Sequence, residues 1–165
     1  MKTYTDIKLE HITAICDARE KLPCDLSPIK TVRGTLTTGD YSVQGLQHCV
    51  AVERKSKNDL VMCCGAERER FEREIQRLLA YPFRLLVVEA PYSDIEMGGW
   101  RGKLQPSHVI GSLISWQARG IPVMCVSDHA WAGRYIAKFL FTAARHRWRE
   151  LQSLHQGLKI VEDAS

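Results

Sequence analysis

The sequence has 165 residues, with 23 lysines and arginines against 19 aspartates and glutamates, a formal charge of +4 at pH 7, 45% hydrophobic and 25% charged residues. That balance fits one folded domain with its own core and excludes a disordered, low-complexity or disulfide-dense chain. A charge of +4 does not single out a nucleic-acid partner; no segment reaches the roughly 20 apolar residues that span a bilayer, and the opening MKTYTDIKLEHITAICD lacks the apolar run of a secretory leader.

In chain order, a first strand is expected over Ile12 to Cys16, ending at Asp17. A loop with Pro23 and Pro28 leads to Thr31 to Thr37, rich in β-branched residues. A turn at Gly39-Asp40 comes next, then Tyr41 to Val43 and, past a glycine-containing loop, Cys49 to Lys55. These strands read as a hairpin run. From Lys57 the period turns helical, with a short helix to Cys64 and a longer one over Glu67 to Tyr81 whose apolar face is Phe71, Ile75, Leu78 and Leu79. Pro82 stops it. Phe83 to Glu89 is a continuous apolar run, as expected of a core strand covered on both faces.

Pro91 to Lys103, with three glycines, reads as a flexible loop. A helix from Pro106 to Arg119, a strand from Ile121 to Val126 and a long helix from Asp128 to about His155 complete the order. Trp116, Trp131 and Trp148 on these helices are assigned to core or subunit contacts. Strands first, then alternating helix and strand, predict one α/β domain over residues 1–165, a three-layer α/β/α sandwich around a central mixed sheet.

The six cysteines (Cys16, Cys24, Cys49, Cys63, Cys64, Cys125) sit in apolar stretches with no CxxC pair, so reduced, mostly buried thiols are expected. Two basic stretches, Arg68 to Arg84 and Arg134 to Arg149, have the density of a phosphate-holding groove. In the first, Glu67, Glu69, Glu72 and Glu74 interleave with the arginines, which equally describes a solvated helix with ion pairs one turn apart.

The chemistry-bearing set lies between the strands. Asp40 sits on a turn at a sheet edge, while Glu53 and Lys55 are two apart on one strand and so share a face, with Arg54 pointing away. Two carboxylates beside an ammonium can hold a hard cation such as Mg²⁺ and stabilise the charge that develops when water attacks a phosphate. A salt-bridged Glu and Lys on a surface strand has the same spacing. What favours chemistry is the step from apolar Val50-Ala51-Val52 straight into Glu53-Arg54-Lys55, at the end of an expected central strand.

Gly39-Asp40-Tyr41 followed by Val52-Glu53-Arg54-Lys55-Ser56-Lys57-Asn58-Asp59-Leu60 resembles the signature of the XPF-type (ERCC-type) structure-specific endonucleases, a branch of the PD-(D/E)xK nuclease superfamily. Asp17-Ala18-Arg19-Glu20, Arg70-Phe71, Arg77-Leu78, Leu85 to Glu89 and Ile121-Pro122-Val123 resemble further family segments, so the likeness covers about residues 12–145. The resemblance implies a restriction-endonuclease-like fold and hydrolysis of DNA at branches, flaps or junctions with Mg²⁺, or Mn²⁺ in its place. It implies metal ligation by Asp40, Glu53, the Arg54 backbone carbonyl and Asp17, and a catalytic set of Asp40, Glu53, Lys55, Asp17, Glu20 and Asp59. Arg19 and Arg70 are the implied phosphate contacts. It also implies homodimerisation through Pro106 to Arg119 and the last helix, and work in the cytoplasm of a bacterium or phage-infected cell, or in a eukaryotic nucleus. Family members with a helix-hairpin-helix module carry it after the nuclease domain; only a short tail comes after the last helix here, so the sequence resembles a stand-alone core such as a phage encodes. A non-catalytic DNA-binding member and a restriction- or resolvase-like nuclease are the alternative readings.

Overall fold

The structure, a computed structural model, describes residues 6–158; the tail beyond residue 158 lies outside it. After a single 3-10 turn the elements run β1 (Thr13–Asp17), β2 (Lys30–Gly34), β3 (Tyr41–Val43), β4 (Val50–Ser56), α1 (Lys57–Cys64), α2 (Arg68–Leu79), β5 (Phe83–Glu89), α3 (Tyr92–Met97), α4 (Pro106–Ala118), β6 (Val123–Cys125) and α5 (His129–Leu158). The six strands form one mixed sheet in the order β2-β1-β3-β4-β5-β6, antiparallel at β1–β3 and β3–β4 and parallel elsewhere.

The continuous apolar runs of β4 and β5 divide by alternation between two cores, because successive side chains of a strand face opposite ways. Val50, Val52, Leu85 and Val87 face Ile136 and Leu140 of α5, whereas Ala51, Leu86 and Val88 pack with Leu60, Ile75, Leu113 and Trp116 from α1, α2 and α4. Both faces are therefore covered, giving the expected three-layer α/β/α architecture. Phe71 meets Trp116 edge-on, ring centroids 5.1 Å apart, which ties α2 to α4. No helix among the described residues is long and apolar enough to cross a membrane.

Three expectations are corrected. β1 and β2 pair in parallel rather than as a hairpin, because residues 18–29 carry the chain back before β2 begins. β2 stops at Gly34, short of Thr37, since Leu36 gives its N–H to the Asp17 carboxylate and its carbonyl to Arg19 instead of to a neighbouring strand. The stretch expected to be a flexible loop contains α3, anchored by the fully buried Ile95 and closed by Gly98 at φ +75°. Of the tryptophans assigned to core or subunit contacts, Trp116 is core, and Trp131 is 42% exposed, stacked on Tyr135 with the Arg134 guanidinium over its ring. The cysteines are free thiols, five buried and Cys125 half-buried.

Candidate active site

The site is built where β3 and β4 part. Gly39 lies at φ +76°, and a Cβ there would stand 2.8 Å from the Val52 carbonyl oxygen. Only glycine lets the turn approach β4 so closely. The Asp40 N–H then donates to the Val52 carbonyl (2.7 Å), and its carboxylate Oδ2 accepts from the Arg54 N–H (2.8 Å). Tyr41 anchors the turn: it is fully buried, and its hydroxyl oxygen accepts from the Cys24 N–H (2.8 Å).

β3 pairs with β4 at Tyr41 and Val52 alone. Past Val52 this edge of β4 is open, which is why a side chain takes the Arg54 N–H. Since the N–H and C=O of one strand residue point to the same edge, the Arg54 carbonyl faces the Asp40 side as well. Glu53 and Lys55 share the α2 face of β4, with Lys55 Nζ donating to Glu53 Oε1 (2.6 Å) and lying 5.0 Å from the Phe71 ring centroid. Arg54 points the other way, as its strand position predicts.

Electrostatics separate these groups. Burial, followed by repulsion from Glu53, pushes the Asp40 carboxyl up to about 7. Burial likewise raises Glu53, against the opposing pull of Lys55. For Lys55 burial works against the charge, but the Glu53 carboxylate outweighs it and holds the ammonium above its ordinary value. The result is two carboxyls short of positive charge, Glu53 buried and Asp40 half-buried, beside a lysine that keeps its proton.

The sequence-predicted residues divide between two neighbouring clefts that share Arg19, Asp40 and Lys55 in their walls. Asp17, Arg19, Asp40, Glu53, Lys55 and Arg70 line one of about 250 Å³, together with Phe71, Glu74 and Arg77. Arg19, Asp40 and Lys55 also line a second of about 400 Å³, with Glu20, Arg54, Asp59 and Glu89. Asp17 is fully engaged: Oδ1 accepts from the Arg19 N–H and Nε, and Oδ2 from the Leu36 N–H (2.7 Å). The Arg19 guanidinium, aided by the Leu36 N–H against burial, holds the Asp17 carboxyl down at about 2. Glu20 turns to Arg54 at 2.9 Å, and Asp59 forms a cap with Ser56, its N–H donating to Ser56 Oγ while that hydroxyl donates to Asp59 Oδ2 (2.7 Å). Arg70 and Arg77 are exposed on the rim of the first cleft and paired with Glu67 and Glu74.

Sequence reasoning did not single out Glu74, Glu89 or His129. Glu89 had a signal of the kind that marked Glu53, a carboxylate ending an apolar core strand, and it stands beside Ser56 in the parallel register. Glu74 and His129 had none, since only tertiary packing brings them here.

The ERCC4 domain family model matches residues 13–139. Among solved structures the chain is similar to XPF from Aeropyrum pernix, with a TM-score of 0.65 and 20% identity over 86% of this chain and 69% of that one. At that identity the likeness establishes a shared fold. No curated protein matches the sequence.

Proposed function

The chain belongs to the ERCC4 domain family, and from that premise we propose that it is a divalent-metal-dependent DNA endonuclease whose hydrolytic centre is Asp40, Glu53 and Lys55. The observation that carries the proposal is the pairing of a half-buried Asp40 with a buried Glu53, both raised toward neutrality by burial, in a cleft whose side-chain donors are oxygens, chiefly of carboxylates. No cysteine or histidine is among its lining residues. Such a donor set fits Mg²⁺ or Mn²⁺ better than a thiophilic ion. The ligands would be Asp40, Glu53 and the Arg54 carbonyl; when bound, the ion neutralises phosphate charge and eases deprotonation of the attacking water.

The chain's own residues supply the rest. Lys55, held protonated, acts as a hydrogen-bond donor to the phosphate oxygens as negative charge builds on them, rather than as a base. Asp17 acts as a positioning residue: with both oxygens engaged it aims Arg19 over the cleft, where the guanidinium meets a DNA phosphate. Arg70 and Arg77 extend that positive rim. Glu20 keeps Arg54 in place behind the centre, and Asp59 secures the start of α1. The two neighbouring clefts, with Arg19, Asp40 and Lys55 in the wall between them, would take separate arms of a flap or fork.

Cleavage of flap, fork, Holliday-junction and plain duplex DNA with Mg²⁺ tests the reading, branched substrates being expected to be cut at least tenfold faster than duplex. Metal-independent binding of branched DNA without cutting of any substrate would instead support a non-catalytic scaffold.

The Asp40 shift also sets a pH dependence. A carboxyl whose folded value, about 7, lies above its unfolded value favours the metal-free fold below about pH 4 and loses that contribution as pH rises through about 7. Cations bind the ionised form, so saturating Mg²⁺ is expected to raise Tm by roughly 2–4 °C at about pH 8, for a linkage of about 1 kcal/mol, and negligibly at about pH 5.5. Equal shifts at both values, read by differential scanning fluorimetry, would rule this out.

A further inference from the structure

We propose that Cys24, Glu89 and His129 form a second cation site, for a thiophilic divalent ion of the zinc class, on the face of the sheet opposite Glu53 and Lys55. The three come from separate parts of the fold: the segment between β1 and β2, the end of β5 and the start of α5. Their ligand atoms all lie within 4.8 Å of one another. Cys24 Sγ is 3.7 Å from His129 Nδ1, which is 2.7 Å from Glu89 Oε1.

Hydrogen bonding orients the imidazole. Nδ1 faces Cys24 and Glu89, and Nε2 lies 3.4 Å from the Pro23 carbonyl oxygen, a partner for its N–H in the tautomer that leaves the Nδ1 lone pair open to a metal ion. Metal-binding histidines are oriented in the same way, by a carbonyl on the far nitrogen. Nδ1 lies 2.7 Å from Glu89 Oε1, a spacing bridged by the ring proton in one tautomer and open to a bound cation when that proton sits on Nε2.

Charge counting admits the ion. Arg54 is clamped between Glu20 and Glu89 at 2.9 and 2.8 Å, with all three side chains no more than 10% exposed, leaving one negative charge in excess. A dication bound by a Cys24 thiolate cancels it: the ion enters, the thiol proton leaves to solvent, and the excess negative charge and the thiolate together balance the ion.

The donors and spacing suit zinc rather than magnesium. Thiolate, imidazole and carboxylate on a tetrahedral ion, with bonds of about 2.3, 2.0 and 2.0 Å, put S and N roughly 3.5 Å apart and N and O roughly 3.3 Å apart. The S to N distance already matches. The N to O distance opens by turning Glu89, whose contacts among the described residues fall on Oε1 and leave Oε2 to reach the ion. The Cys24 backbone is held by Tyr41, and His129, about one third exposed, provides the entry. Three protein ligands leave a fourth position for water.

Cobalt(II) is the probe, titrated into the intact protein with excess Mg²⁺ occupying the carboxylate site. The expected result is a near-ultraviolet thiolate-to-cobalt band, with tetrahedral visible bands, saturating at one equivalent and displaced by Zn²⁺. It should disappear in Cys24→Ser, weaken at least tenfold in affinity in His129→Ala, and persist in Cys125→Ser. Circular dichroism checks each variant's fold, and the histidine variant serves alone if Cys24→Ser does not fold. No thiolate band at one equivalent, or a band unchanged in Cys24→Ser or His129→Ala, overturns the site. The readout is absorption, so it stands apart from DNA cleavage.

Discussion

Lys55→Ala is expected to cut branched DNA about 10³-fold more slowly than the parent under single-turnover conditions with saturating Mg²⁺, the scale seen when one preorganised donor to a developing oxyanion is lost. The ammonium carries this weight because the structure keeps it charged: the charge of the Glu53 carboxylate, together with its hydrogen bond, outweighs burial. Stability should change far less than rate. Glu53 is already raised by burial, so without its partner it takes up a proton rather than remaining an uncompensated ion. Glu53→Gln should be at least as slow while also weakening Mg²⁺ binding, which separates a ligand from a charge donor. A Lys55→Ala rate within threefold of the parent, with a native circular dichroism spectrum, would remove Lys55 from the mechanism.

The largest expected effect on stability lies one residue away, on the opposite face of β4. The Arg54 side chain is 8% exposed and bonds Glu20 through Nε and Nη2 and Glu89 through Nη1. Burial opposes its charge, but the two carboxylates outweigh that and hold the guanidinium above its ordinary value. Arg54→Met strands two buried carboxylates, and breaking a buried ion cluster in this way costs about 3–5 kcal/mol. Urea unfolding measures the loss. The triple variant Arg54→Met, Glu20→Gln, Glu89→Gln should recover part of it, because the penalty comes from unpaired charge rather than from a missing contact. A loss below about 1 kcal/mol in the single variant would show that the cluster is solvated.

By itself the sequence determined those features that neighbours along the chain dictate. The two-residue period of a strand placed Glu53 and Lys55 together and turned Arg54 away. The continuous apolar run of Phe83 to Glu89 required helices on both faces of the sheet, and Gly39-Asp40 marked a turn that only glycine can make against β4. Tertiary structure alone decided which distant partners these groups met. It made β1 and β2 parallel, engaged both Asp17 oxygens with Arg19 and Leu36, turned Glu20 to Arg54, and brought Cys24 and His129 to Glu89. The reason is physical: periodicity and turn chemistry act over a few residues, whereas a side chain's partner across 35 or 105 residues depends on strand order and on which helix covers which face. Local rules therefore placed the carboxylates and the lysine on one edge, and packing set their charge.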